Sequence, residues 1–253
     1  MTDGAALADL LTKQMRDVSQ DLHLVVVYSQ SPLPDGSPAA TPESRERYRK
    51  ALLQENCTFE QVSVLAHNIG YLKLNSFPDP SICESTATAA MASLNNADAI
   101  IIDLRDNRGG YPNMVMLLAA YLFDHPEYMF SPIQNVSEQS WTHSPVPGNK
   151  LADKPVYVLI SPKAISAAEH FCYDLKMLKR ATFVGETTGG AAHAGRFYRI
   201  EEHFGVAVTE IRPINPYSKN DWEGVGIEPD VKVSAADALA RAQDLAEARL
   251  RKK

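Results

Sequence analysis

"IIIDLRDNRGG", residues 100 to 110, passes from three isoleucines into charged and amide residues and then two glycines. An apolar run without alternation buries both of its faces, which predicts a strand of a mainly parallel sheet covered by helices on both sides. The second half predicts a turn at that strand's carboxyl end, before the helical pattern "YPNMVMLLAAYLF". Ligands of open α/β sheets bind beyond the carboxyl ends of the strands. Gly109 and Gly110 can hold backbone N–H groups outward there, as an oxyanion site requires. The turn is neither G-x-G-x-x-G nor G-x-x-x-x-G-K-[ST], so it implies no nucleotide.

Outward from this turn, strands and helices alternate. "FEQVSVLAHNIGYLKLNSF" predicts two strands around Asn68-Ile69-Gly70, and residues 81–95 a helix. "KPVYVLIS", "ATFVGE" and "GRFYRIEEHFGVAVTEIRP" predict further strands, with helices over "SAAEHFCYDLKMLK" and from Ser234 onward. The class is α/β. Upstream, residues 5–19 have helical periodicity, "DLHLVVVYS" reads as a short strand, and "QSPLPDGSPAATPESRERYRK" as a loop followed by a surface helix. A division follows near residue 57, with a short N-terminal part over 1–56 and a core over 57–253.

Ser166 opens the helix after "VYVLIS" in a turn built like that of the glycines. Ser166-Ala-Ala-Glu169 has capping-box spacing, so the serine reads as a helix cap and equally as a displayed nucleophile. A serine hydroxyl needs a base, and the base an orienting partner, to attack at neutral pH. Facing turns would gather the Ser166 hydroxyl, the Ala167 N–H and an N–H from Gly109 or Gly110 around one carbonyl.

Composition narrows the classes. The 253 residues carry a formal net charge of −6, with basic residues dispersed apart from the terminal "RLRKK", so nucleic acid is a poor partner. The longest apolar stretch, "MVMLLAAYLF", falls well short of the ~20 residues that span a bilayer. The first residues lack the pattern of a secretory signal, which predicts a cytoplasmic chain or an exported one already trimmed. Cys57, Cys83 and Cys172 form no C-x-x-C pair and read as buried thiols. The seven histidines show no H-E-x-x-H or similar ligand spacing, so no metal or other cofactor is expected.

"DLRDNRGG", "SAAEHFCYDLKMLKRATFVGETTGG" and "NDWEGVGIEPDVKV" resemble, in order and spacing, the core of the C-terminal processing (tail-specific) serine proteases over about residues 57–245. The branch they are most similar to contains relatives of interphotoreceptor retinoid-binding protein and, more distantly, tricorn protease. The resemblance implies a ClpP/crotonase-like core and a nucleophile at Ser166. Tail-specific members pair the serine with a lysine 25 residues later, but position 191 here is alanine, which disfavours a Ser-Lys dyad. The tricorn-like branch implies instead an upstream histidine, His23 of "DLHLVV", as base and a glutamate, Glu223 of "WEGVGIEPDV", as its orienter. The serine that precedes that histidine in tricorn protease is Leu22 here. His193, in a glycine-rich loop, is the competing base. His170 is expected to point away from the serine, Asp106 and Arg108 to fix the glycine turn, and Cys172 to be an inert core thiol. Residues 29–57 are too few for the PDZ domain that recruits substrates in the protease members.

The first functional expectation is therefore a serine hydrolase, a peptidase acting on a peptide or protein through an acyl-enzyme. The alternative is a non-catalytic module for retinoids, fatty acids or other apolar ligands. Crotonase-type acyl-CoA chemistry is a weaker third, since no nucleotide-binding surface is legible. Retention of Ser166, a base and Glu223 together favours catalysis.

Overall fold

A computed structural model describes residues 3–33 and 41–252. In chain order the elements are α1 (Gly4–Ser19), β1 (Val25–Tyr28), α2 (Pro42–Gln54), β2 (Phe59–Leu65), β3 (Ile69–Leu74), α3 (Pro80–Ser93), β4 (Ala99–Asp103), α4 (Pro112–Ala120), β5 (Tyr128–Pro132), β6 (Ser140–Trp141), β7 (Val156–Ile160), α5 (Ala167–Met177), β8 (Thr182–Gly185), β9 (Ala194–Arg199), β10 (Phe204–Ile211), β11 (Pro213–Ile214), β12 (Val231–Lys232) and α6 (Ala238–Leu250). The expected loop after Gln30 falls in part on residues 34–40, outside those described. The helix expected after it is α2, with Pro42 in its first turn and the Ser44 N–H donating to the Thr41 hydroxyl.

Six strands form the central sheet in the order β12-β8-β7-β4-β3-β2. All neighbouring pairs are parallel except β2 with β3, which run antiparallel. The isoleucine run is the middle of this sheet, and every residue of β4 is buried. Its side chains alternate between two cores, as the twofold period of a strand requires. Ile100 and Ile102 face the core made with α3, α4 and α5. Ala99 and Ile101 face the one closed by Ala238, Ala242 and Ala246, a single stripe of α6. Truncating an isoleucine in such a layer costs about 2 to 5 kcal/mol, because the lost contacts leave a cavity.

Because β3, β4, β7 and β8 run parallel, the segments that leave them open on one edge of the sheet. Three of these, 104–110, 161–166 and 186–193, build the site. A second, three-stranded antiparallel sheet, β1-β10-β9, brings the N-terminal strand against the late part of the chain. Val26 pairs with Val206 there, which carries the segment containing Asp21 and His23 to the same region. A third small sheet, β11-β5-β6, supplies an outer wall.

The cysteine reading needs correction. Cys57 and Cys83 are joined in a disulfide, while Cys172 is a buried free thiol as expected. The pair was not legible as spacing, because the topology brings the start of β2 against α3.

Candidate active site

The turn after β4 is held from within. The buried amide of Asn107 donates to Leu74 O (2.7 Å) and accepts the Gly109 N–H (2.9 Å). The Ile165 N–H in turn donates to the Asn107 carbonyl (3.2 Å), which fixes the serine turn against the glycine turn. Gly109 has φ +89°, and a Cβ on it would lie 2.7 Å from the Ser166 Cβ and 3.0 Å from the Ala167 nitrogen. Only glycine permits that approach. Of the two predicted glycine donors, Gly109 is ruled out as an oxyanion group, since its N–H is committed to Asn107. The Gly110 N–H meets no protein acceptor among the described residues. Ala167 is the first residue of α5, so its N–H has no partner within the helix.

Ser166 stands at φ 58°, ψ −122°, a sparsely populated conformation that costs of order 1 to 3 kcal/mol and persists only where its surroundings impose it. Glu169, fully buried, imposes it. Its carboxylate accepts the Ser166 N–H (3.0 Å), the Thr188 hydroxyl (2.5 Å) and the N–H groups of Gly190 (2.7 Å) and Ala191 (2.8 Å). Burial pushes this carboxyl above its ordinary range, against the pull of those four donors. Thr188 also accepts the Ile227 N–H (2.7 Å), so one buried group ties the serine turn, the loop 188–193 and the strand entry near Glu223. The expected capping box is therefore present, and its glutamate reaches wider than a cap requires.

Ser166, Ala167, Gly110 and His193 line a single cavity of about 310 Å³. His193 Nδ1 lies 3.4 Å from Asp21 Oδ2 and 3.8 Å from Glu223 Oε2. Glu223 Oε2 also accepts the N–H groups of Ala192 (2.6 Å) and His193 (3.0 Å), so it shapes the loop as well as facing the ring. His23 is not among the lining residues. Its backbone N–H donates to Asp21 Oδ1 (2.8 Å), and its Nδ1 is buried without a hydrogen-bond partner among the described residues, as is Glu223 Oε1. Burial lowers the His23 imidazole below its ordinary value, opposed by the charges of Asp21 and Glu223. Burial would raise Asp21, but the Thr209 hydroxyl, the His23 N–H and His193 outweigh it and hold the carboxyl below its usual range.

His170 departs from expectation. It lines the cavity, packed edge-on to Phe130 (4.6 Å between centroids) and parallel to Trp222, with Nε2 2.9 Å from Asp174 Oδ2. One helical turn separates it from Ser166, whose carbonyl accepts the His170 N–H. Asp106 pairs with Lys163 (3.2 Å) and Lys73 (3.5 Å), linking the two turns from outside as a positioning role requires. Arg108 contributes its backbone N–H to Asn75 O.

The model of Peptidase family S41 matches residues 68–233. The chain belongs to Peptidase family S41. It is 27% identical over 163 residues to a carboxyl-terminal-processing protease of Synechocystis, covering 64% of this chain and 37% of that protein. It is 31% identical over 166 residues to carboxyl-terminal-processing peptidase 2, chloroplastic, of Arabidopsis thaliana, covering 64% and 31%. The chain thus spans about a third of the length of these S41 relatives. A crystal structure described as a putative peptidase from Parabacteroides merdae has the same fold, with TM-score 0.69 at 19% identity over 97% of this chain and 84% of that one.

Sequence reading missed two residues that organise the site, Asn107 inside the S41 match and Asp21 ahead of it. Asn107 was passed over because an amide between two charges looks like surface, and Asp21 because a carboxylate before a strand has no signature until β10 delivers Thr209 to it (2.6 Å).

Proposed function

We propose that this chain is a serine peptidase acting through an acyl-enzyme on Ser166. The observation that carries it is the convergence of Ser166, the free N–H groups of Gly110 and Ala167, and His193 on one cavity. His193 takes the Ser166 Oγ proton on Nε2 as the hydroxyl attacks the substrate carbonyl, while its Nδ1 side faces the carboxylates of Asp21 and Glu223. The two N–H groups hold the oxyanion, each worth about 2.7 to 4 kcal/mol in the transition state. The imidazolium then protonates the leaving amine, and water repeats the sequence on the ester. The walls formed by Phe130, Pro213 and Trp222 receive an apolar side chain of the substrate, which accounts for the apolar lining without a separate retinoid or fatty-acid ligand.

A second reading has its own observation. His23 Nδ1 and Glu223 Oε1 are both buried and without a hydrogen-bond partner among the described residues, and the Glu223 charge acts on His23. In that reading Glu223 orients His23 as base, as the family resemblance implies. Fluorophosphonate labelling decides between them. Under the first reading the labelling rate falls on the order of 10²- to 10⁴-fold in His193→Ala and far less in His23→Ala. The reverse ranking makes His23 the base, and a native chain that never labels removes the hydrolase reading.

We further propose that the chain folds in an oxidising compartment. The Cys57–Cys83 disulfide supports this, because such bonds are kept reduced in most cytosols.

A further inference from the structure

Asp21 Oδ2, His193 Nδ1 and Glu223 Oε2 lie within 4.8 Å of one another. Zinc bonds of 2.0 to 2.2 Å in tetrahedral geometry set their donor atoms about 3.4 Å apart. The two spacings from His193 Nδ1, 3.4 and 3.8 Å, are close to that value. Charge points the same way. Two carboxylates here are 9% and 16% exposed, and a cation between them would meet both charges beyond the hydrogen bonds they already accept. Arg16, the nearby guanidinium, is spent on the carbonyls of Leu22 (2.5 Å) and Leu24 (3.0 Å). Beside the trio, Glu223 Oε1 and His23 Nδ1 are buried with no hydrogen-bond partner among the described residues. No spacing motif announces the set, because its members are drawn from α1's exit, the loop before β9 and the turn before β12.

We propose that Asp21, His193 and Glu223 form a binding site for a zinc-type divalent cation, and that the bound cation inhibits Ser166. One imidazole nitrogen with two carboxylates is a zinc donor set, whereas magnesium and calcium favour oxygen alone. The ion displaces the proton from His193 Nδ1 and holds the ring, so His193 can no longer cycle between imidazole and imidazolium. The inhibitory consequence rests on the peptidase reading above; the binding does not.

Equilibrium dialysis of the full chain against ZnCl₂ tests the site without any substrate. The expected result is one equivalent bound by the native chain and by Ser166→Ala, with affinity at least tenfold lower in His193→Ala and in the near-isosteric Glu223→Gln. Magnesium should not compete. His125, exposed between Asp124 and Glu127, is the surface rival. Zinc binding that survives His193→Ala and disappears in His125→Ala, or no single-site binding at all, overturns the proposal. For inhibition, saturating zinc should slow fluorophosphonate labelling of the native chain at least tenfold, with recovery on adding EDTA. Zinc bound with the expected variant pattern but without effect on labelling overturns the inhibitory role. A chain that never labels, with or without zinc, counts against the peptidase reading, and dialysis still decides the site.

Discussion

Single atoms decide which groups at this site can react. The Asn107 side chain consumes the Gly109 N–H, which leaves Gly110 as the proposed partner of Ala167 in holding negative charge. Gly109 is needed for its missing Cβ rather than for its donor. The His23 imidazole, depressed by burial below its ordinary 6.5, has a measurable consequence. Between the lowered value and about 6.5 the folded chain holds fewer protons on this group than the unfolded chain does. Its contribution to stability therefore rises with pH across that window and is lost on acidification. Urea unfolding of native and His23→Gln chains from pH 5 to 7.5 should show a difference in stability that grows as pH rises. A constant difference would mean that His23 titrates alike folded and unfolded.

At the scale of elements, one buried carboxylate couples three pieces of chain. Glu169 links the start of α5 to the loop 188–193, and through Thr188 to the turn that carries Glu223. Glu169→Gln keeps the shape but turns an NH₂ toward backbone donors, leaving buried N–H groups unpaired at about 1 to 3 kcal/mol each. Hydrogen exchange should show faster opening of residues 186–193, with labelling of Ser166 slowed at least tenfold while the central sheet keeps its protection. Uniform loss of protection across β4 and β7 would make Glu169 a general stability residue instead. The capping box was legible in "SAAE", because it is local. The loop contacts were not, since Gly190 and Ala191 reach Glu169 only once β8 has been placed beside β7. The same reason hid the cavity-facing side of His170, whose neighbours Phe130 and Trp222 come from β5 and the turn before β12.

In the whole molecule, the doubly covered parallel sheet was readable from "IIIDLR", as were its carboxyl-end turns and the serine. The β1-β10-β9 sheet and the disulfide were not, because both are long-range pairings that no local pattern encodes. Cys57 and Cys83 are 26 residues apart in sequence, and a loop of that length is stabilised by closure on the order of 3 kcal/mol. Reduction should lower the melting temperature by about 6 to 12 °C. Alkylation of the denatured chain should add one label before reduction, on Cys172, and three after it. Three labels before reduction would remove the disulfide and the oxidising compartment with it. The central claim, that the carboxyl-end turns assemble an acylating serine, is tested most directly by peptide mass mapping after brief exposure to a p-nitrophenyl ester at low pH. The account predicts one acyl group on Ser166, absent in Ser166→Ala. An acyl group on another residue, or the same adduct in Ser166→Ala, would contradict it.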